Sequence, residues 1–80
     1  MTRKETEALV RQALELTFGR RIAPGEPVSQ RDEPKWDSLK HVEVLFHIED
    51  SLDIRFDEDE MAGLDSLERL VEAAERLLAA

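Results

Sequence analysis

Apolar residues along the chain return every three to four positions in several separate blocks. The first block, Leu9, Val10, Ala13, Leu14 and Phe18, forms a helical stripe. Thr2 followed by Glu5 fits a capping box in front of it, and Gly19 fits a helix end behind it. From Gly19 to Trp36 the period is lost, and Pro24, Gly25, Pro27 and Pro34 mark a long loop. The pattern returns at Ser38. There Leu39, Val42, Leu45, Phe46, Ile48 and Leu52 make a wide apolar stripe, broadened by Val44, that predicts a second helix to about Leu52. Residues 53–56 read as a short connector whose Ile54 and Phe56 reach inward. Asp57 and Glu60 form a capping-box pattern opening a short third helix through Met61, ending near Gly63. Leu67, Leu70, Val71, Ala74, Leu77 and Leu78 predict the last helix, with Asp65 and Glu68 as its box. No segment alternates in the manner of a strand. The expected fold is all-α: a small four-helix bundle of three main helices and a short third one, with a long first loop, in one domain over residues 1–80.

Composition narrows what such a bundle can do. With 80 residues there is room for one modest core and not for a deep enzyme cleft. Cysteine is absent, which excludes a disulfide framework, a thiolate metal site and a cysteine nucleophile. The net charge of −8 speaks against nucleic acid. It is unevenly spread: residues 1–40 hold eight Lys/Arg against seven Asp/Glu, and residues 41–80 hold three against twelve. The second half is therefore either a solvated acidic face or a docking surface for basic partners. No apolar run approaches a membrane span or a signal peptide, so the expectation is a cytoplasmic monomer, complete from its own Met.

The tripeptide Asp-Ser-Leu occurs twice, at 37–39 and 65–67. The second copy is explained as a helix cap. The first copy completes no capping box, since Lys40 and His41 stand where Glu or Gln would be needed, and it follows Trp36 and the proline-bearing loop. A Ser at a helix start suits a phosphate, because free N–H groups and the helix dipole favour the added negative charge.

Residues 37–78 then show a recognisable series. Asp37-Ser38-Leu39 opens an apolar-rich helix with Glu43 five residues after the Ser and Glu49 eleven after it. Ile54 and Phe56 lie in a connector, "DEDE" follows at 57–60, and Asp65-Ser66 precede the last helix. This series resembles the acyl and peptidyl carrier proteins. The resemblance implies a carrier of freestanding type, in which a phosphopantetheinyl transferase attaches 4′-phosphopantetheine from coenzyme A to Ser38 Oγ, with Asp37 and Leu39 flanking the site. It further implies that cargo rides as a thioester, loaded by an acyl or aminoacyl ligase and passed to downstream biosynthetic enzymes. Glu43, Glu49, Asp50 and Met61 are the implied partner-binding residues, and the carrier itself is no enzyme. The chain departs from the family at Pro34, Lys35 and Trp36, where Gly-containing pairs are common, and at Lys40-His41, where many fatty-acid carriers have an acid. Those departures are closer to standalone carriers of specialised pathways. The alternative is an unmodified helical module that docks basic partners through its acidic face.

The remaining residues read as structural. Trp36 is expected to pack the loop onto the bundle. His41 and His47, six residues apart, do not share a helix face, make no metal site and are expected at the surface. Met61 is expected to pack at the mouth of the core, with lining a cleft for a bound acyl chain as the alternative, and no metal site is predicted.

Overall fold

The computed structural model describes all of residues 1–80 and contains four helices and no strand. The first, α1, spans Arg3–Phe18. Its capping box is complete: Thr2 Oγ1 accepts the Glu5 N–H at 3.2 Å, and Glu5 Oε1 accepts the Thr2 N–H at 2.9 Å. The bond from the Thr2 backbone also holds the Glu5 carboxyl below the usual glutamate range. Gly19 ends the helix at φ 67°, a left-handed conformation that a residue without Cβ adopts freely.

The second helix, α2, spans Ser38–Leu52 and is closed by Asp53 at φ 54°, a left-handed position held by a residue with a side chain. Glu58–Met61 form α3 and Leu67–Ala79 form α4. No helix is long and apolar enough to cross a membrane. α1 packs against both α2 and α4. Val10, Leu14, Val44, Ile48, Leu70 and Val71, from these three helices, are the largest fully buried hydrophobic side chains.

The long loop is tied down rather than loose. Ile22, Val28 and Trp36 drop into the core. An antiparallel bridge joins Ser29 to Ser66: the Leu67 N–H donates to Val28 O at 2.9 Å, and the Gln30 N–H to Asp65 O at 2.8 Å. Arg20 reaches Glu26 at 3.0 Å and the nearly inaccessible Glu33 at 2.8 Å. The Arg20 guanidinium holds the Glu33 carboxyl below its usual range. The Ala23 N–H does the same for the Glu26 carboxyl, and Arg20 adds to it. Lys35 Nζ donates to Phe18 O at 3.1 Å, which satisfies a carbonyl at the end of α1.

Several local expectations are corrected. The buried face of α2 is Val44, Leu45, Ile48 and Leu52, while Leu39, Val42 and Phe46 face solvent. The Asp57–Glu60 box does not form: Asp57 caps α3 alone, and Glu60 is drawn to Arg76 across the bundle. The Asp65–Glu68 box does not form either, because Ser66 is the cap of α4. Finally, His41 is half-buried and bonded through both ring nitrogens, and is not a surface histidine.

Candidate functional site

The two Asp-Ser-Leu copies differ by one residue in helical register. In the second, Ser66 is the N-cap, and its hydroxyl accepts the Arg69 N–H at 3.1 Å. Asp65 lies one position outside and meets the Arg69 guanidinium at 3.3 Å. In the first, Asp37 is the N-cap, and its Oδ1 accepts the Lys40 N–H at 2.8 Å. Ser38 is thereby the first residue inside α2. It is exposed, its hydroxyl makes no hydrogen bond within the chain, and neither the Ser38 nor the Leu39 amide has an intrachain acceptor. The same three residues thus occupy the serine hydroxyl in one copy and leave it free in the other.

The register of the first copy is set by what precedes it. Trp36 is 2% exposed and packs on Phe18 with ring centroids 5.4 Å apart. With Trp36 anchored in the core, Asp37 takes extended backbone angles and α2 begins at Ser38. The Trp36 indole N–H donates to His41 Nδ1 at 2.9 Å, and His41 Nε2 lies 2.7 Å from Met61 O.

Below Ser38 the exposed Leu39, Val42 and Phe46 run down one side of α2. Helical geometry sets Glu49 along one edge of this stripe, and Glu43 and Asp50 along the other. Glu43 is paired with Lys40 at 3.3 Å. Glu49 accepts the Phe56 N–H at 2.8 Å, so it fixes the connector as well as bordering the stripe. Asp50 is exposed, beside a shallow depression it shares with Phe46 and Arg55. Met61 is half-buried against the core, and its side chain lines a surface cleft of about 480 Å³ with Val42, Phe46, Glu49, Arg55 and Glu58. The predicted residues therefore fall in three places: Asp37, Ser38 and Leu39 at the start of α2, Glu49 and Met61 together in the cleft, and Glu43 and Asp50 along the opposite edge of the stripe.

No protein-family model, curated protein or solved structure matches the chain. The carrier resemblance rests on residues 37–78 themselves.

Sequence reasoning passed over two features of this site. One is His41, although its spacing to Val44, Leu45, Ile48 and Leu52 sets it on the buried face of α2. The other is the exposed stripe. Leu39, Val42 and Phe46 share a second face at i, i+3 and i+7, and the two apolar faces together are wider than one neighbouring helix covers.

Proposed function

We propose that the protein is an acyl or aminoacyl carrier, modified with 4′-phosphopantetheine at Ser38. The observation that supports this most is the free Ser38 hydroxyl: Asp37 performs the capping that consumes the equivalent Ser66 hydroxyl. The residues present fit such a group. Ser38 Oγ is exposed at a helix start, two backbone N–H groups there are unpaired, and Lys40 carries a cation in the first turn. Bound there, the group would supply the thiol that this cysteine-free chain lacks, and with it a thioester link to cargo.

Ser38 Oγ is the nucleophile, and the transferase supplies the base that takes its proton. The new bond joins Oγ to the phosphorus nearer the pantetheine, the pyrophosphate bond breaks, and the nucleotide half of coenzyme A leaves. The helix dipole and the free amides favour the resulting phosphodiester charge by about 0.3–1 kcal/mol. The Lys40–Glu43 pair is weak because both side chains are well solvated, so Lys40 is free to turn toward that charge. Transferase, loading ligase and downstream enzymes would share the Leu39–Val42–Phe46 stripe, with Glu43, Glu49 and Asp50 as its acidic borders.

The test is the intact mass after incubation with coenzyme A, Mg²⁺ and a broad-specificity phosphopantetheinyl transferase. The wild type is expected to gain one phosphopantetheine and Ser38→Ala none. A wild type that gains nothing beside a control carrier that does would point to the unmodified docking module.

A further inference from the structure

One imidazole joins three segments of this fold. Trp36, at the end of the loop, gives its indole N–H to His41 Nδ1, with ring centroids 5.9 Å apart. His41 stands in the first turn of α2, and its Nε2 meets the carbonyl of Met61, the last residue of α3. An indole N–H can only donate and a carbonyl can only accept. Both bonds are made together only by the neutral ring with Nδ1 bare and the proton on Nε2. The bond to Met61 matters because α3 has few other ties: it is four residues long, none of them is fully buried, and apart from the packing of the Met61 side chain against the core its side-chain link is the Glu60–Arg76 pair.

The surrounding charges offer no partner for an imidazolium. On α2 and the adjoining loop, Asp37 caps the Lys40 N–H, Lys40 pairs with Glu43, Lys35 is bonded to Phe18 O and Glu33 to Arg20. On α3, Glu58 points into the cleft with Phe46, and Glu60 is bound to Arg76. None of these carboxylates comes within 4.0 Å of a His41 nitrogen.

We propose that His41 is a pH-sensitive latch that, when neutral, ties the end of the loop to α2 and α3 and, when protonated on Nδ1, releases Trp36. The chemistry is asymmetric. A proton on Nδ1 sets a donor against the indole donor, so the buried indole loses its acceptor. The Nε2–H bond to Met61 survives and is strengthened by the positive charge. Acidification thus frees the strand of loop that leads into Asp37 and Ser38 while α3 stays attached. Histidine is the side chain that changes charge between about pH 5 and pH 8, above the range of ordinary carboxylates. The latch follows from bond geometry alone and stands whether or not Ser38 is modified.

The full chain carries its own reporter, since Trp36 is the only Trp and there is no Tyr. Nitrogen-15 NMR of the wild type should find the His41 proton on Nε2 at about pH 8. Lowering the pH to about 5 should shift the Trp36 indole N–H resonance and the tryptophan emission with the same midpoint as His41, while far-UV circular dichroism stays constant. His41→Gln, whose amide oxygen still accepts the indole bond without titrating, should abolish the response, and His47→Gln should leave it intact. A proton on Nδ1 at the alkaline end would overturn the latch, as would an indole response that persists in His41→Gln. Should His41→Gln fail to fold, different midpoints for His41 and Trp36 in the wild type would overturn it equally.

Discussion

Alanine substitutions at the two Asp-Ser pairs should give opposite results in the two copies when made one at a time in the unmodified protein. In the first copy Asp37→Ala removes the acceptor of the Lys40 N–H at 2.8 Å, and losing such a cap costs about 0.5–2 kcal/mol. Ser38→Ala removes an exposed hydroxyl with no partner, at a helical position where alanine is a good residue, so its effect should stay within about 0.5 kcal/mol. In the second copy Ser66→Ala removes the acceptor of the Arg69 N–H at 3.1 Å and should cost the same 0.5–2 kcal/mol or so. Asp65→Ala loses a contact to Arg69 at 3.3 Å between side chains 62% and 48% exposed, worth at most about 0.5 kcal/mol. Urea unfolding followed by far-UV circular dichroism reads the differences, with an unchanged m-value certifying that the same surface unfolds. In a thermal scan each 1 kcal/mol corresponds to about 4–8 °C for a domain of this size. The reasoning is refuted if Ser38→Ala costs as much as Asp37→Ala, or if Ser66→Ala costs nothing.

Three further outcomes follow from other parts of the fold. Glu33 has a lowered folded value, so its contribution is complete above the usual glutamate range and disappears as pH falls through the folded value. Glu33→Gln should therefore lose about 1–3 kcal/mol at neutral pH and show a shallower decline than the wild type between about pH 5 and pH 3, in urea melts across that window. Asp53→Gly should raise the urea midpoint by the equivalent of about 0.5–1 kcal/mol, because the left-handed backbone at φ 54° strains a residue with a Cβ. Ile48→Ala, in the least accessible part of α2, should cost about 2–5 kcal/mol, whereas Phe46→Ser should change stability by no more than about 0.5 kcal/mol. Equal losses for the two would mean that the exposed stripe is misassigned.

The four helices were legible from their apolar periods, and the clearest boundary was local chemistry: Thr2 with Glu5 and then Gly19 for α1. What local pattern leaves open is decided by partners distant in sequence. Asp and Ser are equally good caps, so the choice between Asp37 and Ser38 depends on Trp36 being held by Phe18, eighteen residues earlier. The same holds for Glu60, which a nearest-neighbour rule assigns to a cap and which Arg76 captures from α4. α2 has apolar residues on two faces, and only the position of α1 selects Val44, Leu45, Ile48 and Leu52 for burial. His41 is a different case. Its register on the buried face was readable, while the two bonds that occupy it join residues five and twenty positions away.

The claim that Ser38 is the modified residue is tested most directly by locating the added group. Trypsin separates the two copies, leaving Ser38 in the peptide 36–40 and Ser66 in the peptide 56–69. After treatment of the wild type with transferase and coenzyme A, fragmentation mass spectrometry should find one phosphopantetheine, on the serine of peptide 36–40, and peptide 56–69 unchanged. The group on peptide 56–69, or on neither peptide while a control carrier is fully modified, would contradict the account.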